Sequence, residues 1–111
     1  MSNNGSSQNP IVLFGEYDIE RKEELALIFR EAEPFDELLI DLNRVEYVDS
    51  TFLTELANLR KRNPDAAITL LGPRPHLKKV LQLMSFEKMF RIVDGSEAVS
   101  ASSDEVSKNA G

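Results

Sequence analysis

The chain has 111 residues, no cysteine, one histidine and a formal charge of −6 with a pI near 4.8. That length suits one domain able to bury about two-thirds of its unfolded surface. The missing cysteines exclude a disulfide framework and a thiolate metal site, the lone His76 argues against a histidine-rich one, and the acidic balance argues against nucleic acid, whose phosphates need a basic face.

The N-terminal stretch MSNNGSSQNP has neither the basic residues nor the apolar centre of a signal peptide, so residues 1–10 are expected to form a disordered lead. The longest apolar runs, at 11–14 and 38–40, fall far short of the roughly 20 residues needed to cross a bilayer, so no membrane insertion is expected and the cytoplasm is the expected location. IVLF at 11–14 reads as a buried strand closed by Gly15, and Asp18 as the N-cap of a first helix. In that helix Leu25, Ile28, Phe29 and Ala32 fall on one stripe, and Pro34 stops it. ELLIDL at 37–42 is so continuously apolar that it suits a central strand covered on both faces.

Asp49-Ser50-Thr51 then interrupts the extended run VEYV and starts a second helical period, carried by Leu53, Leu56 and Ala57 with Phe52 and Leu59 beside them. With Asp49 as N-cap, Ser50 is the first helical residue, and its hydroxyl is free of capping duty. A third strand at 66–72, a turn at 73–75, a helix from near His76, a break at Ser85, a short turn at 86–90 and a fourth strand at 91–93 follow. A last helical segment is expected from Glu97, and residues 102–111 have too little apolar content to pack and are expected to be a disordered tail. Strand and helix alternate with short joints, which predicts an α/β fold with right-handed crossovers and its site at the carboxyl ends of the strands.

Charge is divided along the chain. Residues 34–49 carry Asp36, Glu37, Asp41, Glu46 and Asp49 against Arg44 alone, whereas residues 60–91 carry Arg60, Lys61, Arg62, Arg74, Lys78, Lys79, Lys88 and Arg91 against Asp65 and Glu87. Such polarity suits an oriented protein contact as well as plain solvated helix faces.

Catalytic readings find little support. Ser50 with His76 lacks the G-x-S-x-G elbow of a hydrolase, and five scattered glycines form no phosphate-binding loop, so neither an enzyme nor a cofactor is expected. Asp49 as a phosphoacceptor or metal ligand would pair with Asp41, but no third acidic partner is evident, which leaves Asp49 as the cap and orienting residue.

The order of these pieces resembles the STAS family of bacterial anti-sigma factor antagonists and transporter tails. Gly15-Glu16-Tyr17-Asp18 is similar to the family's G-E-L-D before the first helix, LLIDLNRVEYVDS to its strand and loop ending in aspartate-serine, and LKKVLQLMSFEKMFRIVDGSEAV to its closing helix, turn and strand. The resemblance spans about 11–99 and implies a single STAS-like domain over 11–101, with a sheet of about four mostly parallel strands and three to four helices. It also implies that Ser50 is phosphorylated by a serine kinase that is itself the anti-sigma factor, that a phosphatase reverses this, and that the partner docks on Asp49, Ser50, Thr51, Phe52 and Glu55. Where the family commonly has serine-glycine after the acceptor, this chain has Thr51-Phe52, and Phe52 is expected to be partly buried beside the site. Spacing alone supports only a capping cluster. The alternative within the family is a STAS interaction subunit of a transporter or sensor complex in which Ser50 is never modified.

Overall fold

The computed structural model describes residues 10–94. The first strand outlasts the apolar run that announced it: β1 spans Ile11–Tyr17, because Gly15 stays within it at φ +82, a backbone that side-chain-bearing residues rarely adopt. Alternation along β1 buries Leu13 and Tyr17 and leaves Val12, Phe14 and Glu16 exposed. The Asp18 carboxylate accepts the Glu20 N–H at 3.0 Å, capping a 3-10 turn, Ile19–Arg21, that feeds α1, Lys22–Ala32. Arg21 donates to Glu24 at 2.7 Å, and this hydrogen bond holds the Glu24 carboxyl below the usual carboxylate range. The stability of that pair is therefore present above the ordinary carboxylate pKa and is lost as pH falls through the lowered one.

β2 spans Glu37–Val48, twice the length of the apolar stretch at 37–42. Its partners explain the excess. β3, Ala67–Leu71, pairs only with the first part of β2, whereas β1 runs beside it from Ile11 opposite Ile40 to Tyr17 opposite Val48. The far half of β2 thus projects with β1 past the end of β3, and α2, Ser50–Arg62, starts at the tip of that ribbon.

The sheet order is β1-β2-β3-β4 and every pairing is parallel. Right-handed crossovers through that order place α1, α2 and α3 on one face. The expectation that residues 37–42 are covered on both faces is therefore corrected: Leu38, Ile40 and Leu42 are buried, while Leu39 and Asp41 are only half-buried on the open side.

After β3 the chain turns at Gly72, φ +68, where a Cβ would land on the Asn43 side-chain amide. Asn43 cannot give way freely, because its backbone N–H and its amide both donate to the Asp41 carboxylate, at 2.9 and 2.8 Å. Gly72→Ala is expected to destabilise the domain by about 1–3 kcal/mol through backbone strain alone, more if Asn43 is displaced, and an unchanged urea midpoint would contradict that crossing.

α3, Pro75–Leu83, begins with a proline at its first position, where the missing N–H costs nothing. Ser85 adopts φ +62, a 3-10 turn follows at Phe86–Lys88, and β4, Arg91–Val93, closes the sheet. Residues 1–9 of the lead expected at 1–10, the helix from Glu97 and the tail at 102–111 lie outside the described residues.

Candidate functional site

Ser50 stands at the carboxyl end of β2, where sheets of this kind place their sites. The spacing of the sequence and the structure agree on its setting. Asp49 is the N-cap in extended backbone, φ −116 and ψ −170, and its carboxylate accepts the Thr51 N–H at 2.8 Å. The Asp49 carbonyl accepts the Phe52 N–H at 3.1 Å, and the Asp49 N–H donates to the Tyr17 carbonyl at 3.2 Å, which ties the first turn of α2 to the end of β1. Ser50 itself is exposed, and Thr51 is half-buried.

The electrostatics follow from this arrangement. A helix N-terminus attracts anions through unpaired N–H groups, but here Asp49 already occupies two of them. No acidic residue lies in the first turn after the cap, and Arg60, Lys61 and Arg62 sit in the last turn, so the ends of α2 complement its dipole. Asp49→Ala should cost about 0.5–2 kcal/mol by freeing the Thr51 N–H, and Asp49→Asn should keep most of the loss away. Equal urea midpoints for wild type and Asp49→Ala would show that the cap is not holding the turn.

The other two residues expected at a docking surface, Phe52 and Glu55, are buried. Phe52 was expected to be partly buried; it is 0% exposed, with its ring 5.8 Å from that of Tyr17, itself 2% exposed. Glu55 is 6% exposed. Glu55 lies on the same flank of α2 as Arg62, seven residues on, which pairs with Glu33 just past the end of α1. None of the ion pairs among the described residues includes it.

Sequence reasoning missed the residues behind the site. Arg21 stacks its guanidinium 4.0 Å from the Tyr17 ring centroid, donates to the Tyr17 hydroxyl at 3.3 Å, and donates to the carbonyls of Phe14 and Glu16 at 3.0 and 2.9 Å. Tyr17 is thus held between Arg21 and Phe52, and the first turn of α2 rests on it. A signal was present in the sequence. Tyr17 stands where G-E-L-D has leucine, and Phe52 stands two residues after the serine, in the stretch where this chain also departs from the serine-glycine pattern. The two departures touch, so they form one packed change rather than two.

A family model described as "Mlab, STAS domain" matches residues 4–94. The chain belongs to the STAS domain family. None of the curated proteins matches it. Two solved structures share the fold of this STAS domain. The phosphorylated form of SpoIIAA, a Bacillus cell fate determinant, is 20% identical over 83% of this chain and 87% of that one, with a TM-score of 0.60. The unphosphorylated form of the anti-sigma factor antagonist SpoIIAA is 22% identical over 82% of this chain and 84% of that one, with a TM-score of 0.56. At such identities the likeness establishes the α/β fold.

Among the described residues no group of three or more His, Asp or Glu side chains is placed to hold a metal, and no helix is long and apolar enough to cross a membrane.

Proposed function

We propose that this STAS domain is a noncatalytic docking module whose association with an anti-sigma factor kinase, or a protein partner of that kind, is governed by phosphorylation of Ser50. The observation that carries the reading is the exposed Ser50 hydroxyl at the first position of α2, with the capping work done by Asp49 instead. The solved structures support it, since SpoIIAA is described in a phosphorylated and an unphosphorylated form and as an anti-sigma factor antagonist. Ile19 and Tyr47, 64% and 51% exposed at the same end of the sheet, supply apolar anchors for a partner.

Magnitudes decide how such a switch operates. A phosphate adds about −1.5 to −2 charges. At an exposed helix terminus it recovers only about 0.3–1 kcal/mol, and here Asp49 both occupies two N–H groups and repels it. The fold is left nearly as it was. Burying the same dianion at an interface without a matched cation costs several kcal/mol, enough to change a binding constant by powers of ten. Phosphorylation therefore acts on affinity, and a partner offering arginines to the phosphate reverses the sign.

With Phe52 and Glu55 buried, the part of the surface that α2 offers the partner beside Ile19 and Tyr47 consists of Ser50, the exposed edges of Asp49 and Thr51, and Thr54 one turn later. A second reading is an unmodified STAS subunit of a transporter or sensor complex, which the match to a STAS domain model over residues 4–94 accommodates equally. Incubation with cell lysate and ATP separates the two. The first reading expects a phosphate mapped by mass spectrometry to Ser50 and absent from Ser50→Ala, whereas an unmodified serine under conditions that phosphorylate other lysate proteins favours the second.

A further inference from the structure

At the opposite end of the sheet, the amino ends of β2, β3 and β4 enclose a groove of about 640 Å³. That volume lies within the range of small-molecule sites, roughly 300–1,000 Å³. Leu39 and Met89 contribute apolar surface, with the buried Phe90 behind them, and the charges are Arg60, Lys88 and Arg91 against Glu37 alone. A basic lining is unexpected on a chain of net charge −6. None of the three cations takes part in an ion pair among the described residues.

Arg60 is more than a surface charge. Its guanidinium donates to the carbonyls of Met89, Asn63 and Ala66 at 2.9, 2.5 and 2.6 Å, which fixes a half-buried cation in the wall of the groove with no carboxylate beside it. Carbonyl dipoles hold the group in place but do not cancel its charge, so an anion entering the groove meets a positive centre whose ordering has already been done by the fold. Lys88 and Arg91 add two exposed cations with apolar stems.

We propose that this groove binds a small anionic amphiphile: a carboxylate or sulfonate seated against Arg60, Lys88 and Arg91, with a short apolar body laid along Leu39 and Met89. The site is separate from Ser50. β2 places Glu37 and Val48 at its two ends, about 30 Å or more apart at the usual strand rise, so this proposal and the phosphorylation reading fail independently.

The test is a titration of the isotope-labelled full chain with sodium octanoate, followed by amide shifts, with octyltrimethylammonium as the cationic control. Expected are saturable shifts confined to residues 37–39, 67–69 and 88–91, a dissociation constant of about 1 mM or tighter, and weakening by added salt. Lys88→Glu/Arg91→Glu should weaken octanoate about tenfold at unchanged Tm. Lys88→Gln/Arg91→Gln adds no acid, and its smaller loss keeps the test sound should charge reversal impair folding. An equal response to the cationic amphiphile, shifts centred elsewhere, or no saturation would overturn the proposal. So would binding that emerges only when residues 1–9 are deleted, since the groove would then be the seat of the chain's own lead through Pro10, which lines it.

Discussion

Ser50→Asp is expected to weaken binding to the partner captured by the unmodified domain by about a hundredfold or more, while its Tm stays within a few degrees of wild type. The two halves of that expectation come from one geometry. The side chain is solvated in the free protein, so a negative charge there meets water and a helix terminus already served by Asp49, and neither rewards nor penalises it by more than about 1 kcal/mol. At a closed interface the same charge loses its water, and several kcal/mol are at stake. Ser50→Ala should bind whether or not the kinase is active. Calorimetric titration beside thermal melting measures both halves in one series. Equal affinities for wild type and Ser50→Asp would remove the switch, and a large fall in Tm would place its action in folding instead.

Phe52→Ala is expected to have the largest effect on stability, about 3–5 kcal/mol, since a wholly buried ring leaves a cavity under the first turn of α2. For a domain whose total stability is about 5–15 kcal/mol, that is a large fraction. The more discriminating experiment pairs it with Tyr17→Leu, which restores the residue of the G-E-L-D pattern. Because the rings lie 5.8 Å apart and tilted by 41°, the double variant should cost less than the sum of the single variants, by about 0.5–1.5 kcal/mol. Strict additivity in urea unfolding would mean that the two departures from the family pattern are unrelated. The outcome bears on function too. If Phe52 supports the turn from beneath, its loss should weaken partner binding only as far as it unfolds the domain, whereas an interface residue would lose binding with the fold intact.

Much of the fold could be read along the chain because its signals are local. Asp49 caps α2 as expected, Pro34 follows the end of α1, α3 opens at Pro75, one residue before the expected start near His76, and β4 covers the predicted residues Arg91–Val93; Asp18 caps the 3-10 turn ahead of α1, whose own N-cap is Arg21. What could not be read depends on neighbours distant in sequence. The length of β2 is set by how far β1 runs beside it, and its open face by the order in which all the strands lie, neither of which is encoded in residues 37–48 themselves. Phe52 shows the same limit at the site. A helical wheel places it toward the sheet, but whether a ring at that position is sealed depends on Tyr17 and Arg21, some thirty residues earlier. Glu55 misleads for a related reason: a carboxylate in an amphipathic helix reads as surface, and only the Arg62–Glu33 contact reveals that its flank meets α1. The place of Ser50, by contrast, exposed at the first position of α2, follows from the adjacent Asp49 cap and is legible in the sequence.

The proposal that charge on Ser50 governs association and leaves architecture alone is tested most directly on the protein carrying phosphate at Ser50, prepared with the kinase and compared with the unmodified chain for partner affinity and Tm in matched samples. The account predicts dissociation constants differing by about a hundredfold or more with melting temperatures that nearly coincide. Matching affinities, or a phosphorylated domain that melts far earlier, would contradict it.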